Sequence, residues 1–99
     1  MIFRRDRFGD LVRRQLDLFA EDDAELLRDA EAAERAYDAA ERDDAEEAYG
    51  DYQLALEAIA DRLGEIRDVY AGTLPNDAID AYEHAFERAA GKRYPGVRL

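Results

Sequence analysis

Two pairs of carboxylates spaced one helical turn apart, Glu31-x-x-Glu34 and Glu65-x-x-Asp68, are the residues here best suited to chemistry. Side chains three apart share one face of a helix, so each pair can turn its oxygens toward a single cation. Hard ions such as Mg²⁺ or Mn²⁺ take that donor set, and a bound ion would polarise phosphoryl oxygens. Other reactive types are scarce. There is no cysteine and no serine, with one histidine (His84), one lysine (Lys92) and one threonine (Thr73). Thiol and serine nucleophiles, thiolate metal centres and disulfide frameworks are thereby excluded. A multi-histidine metal site within one chain is excluded too. His84 has Asp80 at i−4, Glu87 at i+3 and Arg88 at i+4. A solvated or salt-bridged surface histidine is a simpler reading of that setting than a metal ligand or pH sensor.

The paired carboxylates resemble the metal-binding pattern of the all-α nucleotide pyrophosphohydrolases, in which carboxylates of neighbouring helices hold Mg²⁺ against a triphosphate. That resemblance covers four positions and implies a carboxylate-bridged enzyme acting on phosphorylated small molecules. Glu31, Glu34, Glu65 and Asp68 would be its Mg²⁺ or Mn²⁺ ligands. The gap from Glu34 to Glu65 is longer than the pattern asks for, and 25 acids in 99 residues make such spacings common. Whether the pairs can meet depends on the elements that carry them.

The chain is long enough for one small domain, residues 1–99. Of its 47 % hydrophobic residues, 19 are alanine; Ile, Leu, Val, Met and Phe together number 22, joined by six tyrosines. A core built from these is thin, so burial against a partner or a second copy is expected. The net charge of -11 disfavours nucleic acid as a ligand, since phosphate neutralisation needs a basic face. No apolar run approaches the ~20 residues of a membrane span. The Met1–Arg7 stretch is basic without an apolar segment behind it, which is unlike a secretory signal, so a cytoplasmic protein is expected.

Helical periodicity is the strongest structural signal. Val12, Phe19, Leu26, Ala33 and Ala40 recur every seven residues, interleaved with Leu16, Asp23, Ala30 and Tyr37. A second, coiled-coil-like series runs Ala45, Tyr49, Tyr52, Leu56, Ile59, Leu63, Ile66 and Tyr70 on three-four steps. The two are offset by five, which a continuous coiled coil does not absorb, so a break is expected near residues 40–44. Asp43 with Glu46, or Asp44 with Glu47, would cap the second helix there. The absence of Gly and Pro at the break leaves one long bent helix as the alternative. Gly72 to Asn76 then punctuates the chain. The expected fold is all-α: an N-terminal arm (1–9), helix 10–41, helix 44–71, a short helix 75–90 and an extended tail (91–99). The first two helices would form an antiparallel hairpin, with a bundle completed by oligomerisation.

One hairpin register sets Phe19 against Leu63, Leu26 against Leu56, Ala30 against Tyr52 and Tyr37 against Ala45. It places Glu65 level with residue 17, about fourteen residues and roughly 20 Å from Glu31, so one chain cannot assemble the metal site. Two copies would be needed. Asp23 interrupts the first seam and calls for a partner, for which Arg62 lies at a suitable level. Gly50 and Gly64 share a flank of the second helix and suggest close approach of another helix there. Phe3, Arg4, Arg5, Arg7 and Phe8 read as a terminal arm, or as an anchor for an anionic surface.

Charge is segregated. Residues 21–51 hold fourteen acids and three arginines, whereas from Arg88 onward there are four bases and no acid. Complementary ends and middle can fold together in one molecule or dock onto another. The expectation is a non-catalytic helical assembly or adaptor protein, acting through self-association or docking on a larger protein. Its interface residues would be Phe19, Tyr37, Tyr49, Tyr52, Leu56, Leu63, Ile66 and Tyr70, without cofactor or metal.

Overall fold

Four helices account for most of the chain in the computed structural model, which describes residues 7–99: α1 (Gly9–Asp22), α2 (Ala24–Ala39), α3 (Ala45–Ala71) and α4 (Asn76–Arg93). No strand occurs among the described residues. The Met1–Asp6 part of the expected arm lies outside them.

The heptad seams explain where the helices lie, and their interruptions explain where they stop. Val12, Leu16 and Phe19 line the inner face of α1, with an apolar residue at every three-to-four-residue step. The next seam position is Asp23, and there the expected 10–41 helix divides in two. Asp23 leaves helical geometry at φ −114° and ψ 33°. Its N–H donates to the Phe19 carbonyl at 2.8 Å, and its own carbonyl accepts the Leu26 N–H at 3.0 Å. The kink carries the carboxylate out of the apolar seam to Arg62, whose Nε donates to Oδ2 at 3.2 Å. The hydrogen bond and charge of Asp23 raise the Arg62 pKa further above its ordinary value. Arg62 also reaches Glu65, at 3.1 Å, and keeps 40 % of its side chain exposed. An exposed pair of this kind contributes roughly 0.2–1 kcal/mol. A double-mutant cycle on Asp23→Ala and Arg62→Ala is therefore expected to give a coupling of about 0.5 kcal/mol in urea titrations. A coupling above about 2 kcal/mol would make the pair, rather than the packing beside it, the cause of the kink.

The second break is complete, not a bend. α2 ends at Ala39, Ala40 is extended at φ −67° and ψ 138°, and α3 begins after Asp44. Asp44 occupies the N-cap position, yet its side chain makes no capping bond. Glu46 and Glu47 in the first turn suit the positive end of the helix dipole. From there, contacts climb α3 as they descend α2: the Tyr37 ring centroid is 5.2 Å from that of Tyr49 and 6.3 Å from that of Tyr52. Further along, Tyr52 donates to Glu34 at 3.3 Å, and Arg62 meets Asp23. This register is slid by about one turn from the one that opposes Tyr37 to Ala45. Where only two helices meet, tyrosine rings gain more by stacking on each other than by facing alanine.

Thr73 folds back on α3, its hydroxyl donating to the Tyr70 carbonyl at 2.7 Å. Pro75 then occupies the N-cap position of α4, where no side chain makes a capping bond. α4 continues to Arg93, beyond the expected end at residue 90, because Gly91 stays helical; Lys92 and Arg93 in its last turn suit the dipole. The last six residues reverse through a turn in which the Val97 N–H donates to the Tyr94 carbonyl at 2.9 Å. They lie back over α3 as a strap instead of extending away.

The core sits at one end of the molecule. Tyr82, Phe86, Phe19, Leu16, Leu63 and Val12 are its largest fully buried side chains, drawn from α1, α4 and the second half of α3. Rings organise it: Tyr82 lies 5.5 Å from Phe8, 4.9 Å from Tyr70 and 6.0 Å from Phe86, and Phe19 meets Tyr94 edge-on at 5.8 Å. The Tyr82 hydroxyl donates to Gln15 at 2.9 Å, and burial pushes its phenol pKa up. Of α2, Ala30 alone is fully buried. The molecule is accordingly long, 55 × 32 × 22 Å, with a radius of gyration of 16.2 Å, where a compact chain of this length has about 13 Å. Among the described residues no helix packs on the glycine flank of α3. A Cβ at Gly50 would meet nothing within 4 Å, and one at Gly64 would meet only Arg67, at 3.8 Å.

Candidate docking surface

The eight expected interface residues divide into three groups. Phe19 and Leu63 are 1 % and 0 % exposed and belong to the chain's own core, so they offer a partner no surface. They are buried in one cluster with Tyr82, Ala85 and Phe86 of α4. Leu56, Ile66 and Tyr70 are half-buried against the same core. Tyr37 and Tyr49 remain 37 % and 48 % exposed, and Tyr52 lies half-buried between α2 and α3. The accessible set therefore clusters on the far half of the α2–α3 pair, among the acids of residues 21–51. Leu54, 64 % exposed, adds an apolar side chain on the same stretch of α3.

The four candidate metal ligands do not converge. Glu31 faces Arg35 at 4.0 Å, Glu34 accepts the Tyr52 hydroxyl, Glu65 accepts from Arg62 and Asp68 accepts from Arg67 at 2.8 Å. Glu34 lies level with Tyr52, thirteen residues before Glu65, so the pairs stand about 20 Å apart along α3. Among the described residues no group of three acidic or histidine side chains is placed to hold a metal ion. His84 is exposed on α4, its Nε2 3.0 Å from an Arg88 nitrogen.

A groove of about 660 Å³ opens between α2 and the strap. Its floor is apolar, made by Leu27 and Ala30 of α2 with Leu56 and Ile59 of α3, and its far wall is Tyr94 to Val97. Glu31 and Glu34 stand on the α2 rim. Partial burial and, after it, the Glu34 carboxylate both push the Tyr52 phenol pKa up. Arg93, at the base, is turned aside to Asp17 at 2.8 Å. On the other side of the strap a smaller hollow of about 370 Å³ lies against Gln53, Glu57 and Arg98.

The strap closes tightly on α3. Val97 is buried, and a Cβ on Gly96 would stand 3.3 Å from Leu56 Cδ1 and 3.5 Å from the Tyr52 hydroxyl. A glycine here permits the approach. Sequence reasoning missed the strap, although Tyr94, Val97 and Leu99 after the last helix were a signal, being the large apolar residues of the tail. It missed Leu27 as well, which lies off the seven-residue repeat.

No helix among the described residues is long and apolar enough to cross a membrane. Compared with known protein families, with curated proteins and with solved structures, the chain matches none.

Proposed function

We propose that this chain is a non-catalytic helical adaptor whose α2–α3 pair, an antiparallel hairpin arm, docks on a basic surface of a larger protein. The observation that carries this reading is the contrast between the two ends. α1, α4 and the second half of α3 close a core from one chain, whereas α2 buries Ala30 alone; Tyr37, Tyr49 and Leu54 stand exposed on the arm, as Leu18 and Val69 do singly at the core end. Tyrosine is favoured at interfaces because it brings apolar area at low entropic cost together with a polar end. Charge selects the partner. Fourteen acids to three arginines along residues 21–51 oppose the side-by-side pairing of two arms and favour a basic partner. A carboxylate-bridged metal enzyme would need Glu31 and Glu34 of one copy to meet Glu65 and Asp68 of another, and no observation favours that arrangement.

The test is site-specific photo-crosslinking in cells that produce the chain, with the photoreactive residue in place of Tyr49 and, as control, in place of His84. A heteromeric adduct is expected from position 49 and none from position 84. Native mass by light scattering should be close to 11.3 kDa at low and high salt alike. An adduct at twice the chain's mass, with a matching native mass, would replace this reading by self-association. Equal labelling at both positions would overturn a specific docking arm.

A further inference from the structure

We infer that the groove between α2 and the C-terminal strap is the arm's specificity site, taking a short partner segment that joins an arginine or lysine to a bulky apolar side chain. This rests on the docking reading above and adds where the partner is recognised and by what chemistry. Three observations meet in it.

The first is the make-up of the walls. Leu27, Ala30, Leu56 and Ile59 give a floor that an aliphatic or aromatic side chain would cover, and the space of about 660 Å³ is of ligand-pocket size. Above that floor stand Glu31 and Glu34, each only loosely engaged, by Arg35 at 4.0 Å and by the Tyr52 hydroxyl at 3.3 Å. Arg93 lines the groove too, but its Nη1 donates to Asp17 at 2.8 Å, and among the described residues it pairs with neither Glu31 nor Glu34. A guanidinium or ammonium fits that rim, since charge-assisted hydrogen bonds to carboxylate are shorter and stronger than neutral ones.

The second observation is an internal precedent. The strap is itself an apolar–basic–apolar segment, Val97-Arg98-Leu99; its Val97 is buried on the groove wall with Gly96 against Leu56, while Arg98 and Leu99 run on over α3 beyond the groove. The same α3 residues, Tyr52 and Leu56, face the strap on one side and the open groove on the other. A partner segment of like composition would extend the layer that the strap begins. The third is electrostatic: the α2 wall of the groove, Leu27 to Glu34, belongs to the most acidic stretch of the chain, which raises the local concentration of a cationic segment.

The test uses the full chain and fluorescein-labelled peptide probes, read by anisotropy at low and high salt. One probe alternates leucine with arginine, a second alternates glycine with arginine, and a third alternates leucine with glutamate. Saturable one-to-one binding is expected for the leucine–arginine probe. The glycine–arginine probe should bind about tenfold more weakly, and the leucine–glutamate probe should not bind. Glu31→Gln combined with Glu34→Gln should weaken the first probe about tenfold. Glu47→Gln combined with Glu57→Gln removes the same charge elsewhere on α3 and should change it less than about twofold. All four positions are surface carboxylates, and unchanged helicity by circular dichroism verifies folding. Equal affinity for the two arginine probes, or equal weakening by the two double variants, would overturn the groove and leave only diffuse attraction. Loss of binding through Tyr37→Ala with Tyr49→Ala, but not through the groove variants, would move recognition to the arm's tip; the docking reading would then stand without the groove. Absence of the Tyr49 crosslink would remove the docking reading whatever the peptides do.

Discussion

Truncating Leu63 to alanine is expected to lower the stability of the isolated chain by about 2–5 kcal/mol, and Leu63→Asp is expected to abolish cooperative unfolding altogether. Leu63 has no exposed surface and lies among Phe19, Tyr82 and Phe86 in the one dense region of the molecule. Removing three carbons there leaves a cavity that the flanking rings can close only in part. A domain of this size has roughly 5–15 kcal/mol in total, so the alanine variant should sit near the edge of folding at room temperature. The aspartate variant puts a carboxylate at a position with no solvent exposure, a cost beyond what remains. Leu54→Asp is the matched control. At 64 % exposure it should shift the urea midpoint by the equivalent of about 0.5 kcal/mol or less. If Leu63→Ala instead left the urea transition in place while lowering the native mass, the heptad seam would lie between copies.

Amide hydrogen exchange should divide the chain in two. Amides of α1, α4 and the second half of α3 should exchange only through global opening, whereas those of α2 and the first turns of α3 should exchange about a hundredfold faster or more. The physical basis is what each half buries. Breaking the arm exposes Ala30, a stack of three tyrosines already near water, and the half-buried Leu26 and Leu27. Breaking the core exposes six large side chains at once. Fragment-separation mass spectrometry at neutral pH would read the two classes directly. Uniform protection through residues 24–58 would show that the arm is not an independent, weaker unit, and would count against its being left open for a partner.

Much of the fold was legible in residue spacing. The three-four series from Ala45 to Tyr70 corresponds to α3 from end to end, and the offset of five between the two series corresponds to the break at Ala40. The partnership of Asp23 with Arg62 followed from one rule, that a carboxylate in an apolar seam needs a cation. The consequence of that partnership for the backbone did not follow. A seam position reads alike whether its side chain is tolerated inside or the helix kinks to put it outside, and only the geometry at Asp23 decides. The candidate surface was half legible. Tyr37, Tyr49 and Tyr52 cluster where spacing places them, but periodicity cannot say which layer covers a seam. Phe19 and Leu63 carry the same heptad signal as Tyr49 and Tyr52, yet the first two are buried in the core with α4, Tyr52 is half-covered beside the strap and Tyr49 stays exposed. That outcome depends on contacts between residues more than sixty positions apart, such as Gln15 with Tyr82 and Asp17 with Arg93.

Those long-range contacts bear on how the protein is made. α1 leaves the ribosome early, with Val12, Leu16 and Phe19 on one face and nothing to cover them. Their cover, α4, is complete only once Arg93 has been added, and at ordinary synthesis rates that interval is roughly 4–15 s. What emerges meanwhile is the acidic stretch, whose repulsion keeps nascent chains from meeting through their uncovered faces. Chains stalled before α4 would be the form most exposed to aggregation and to chaperones.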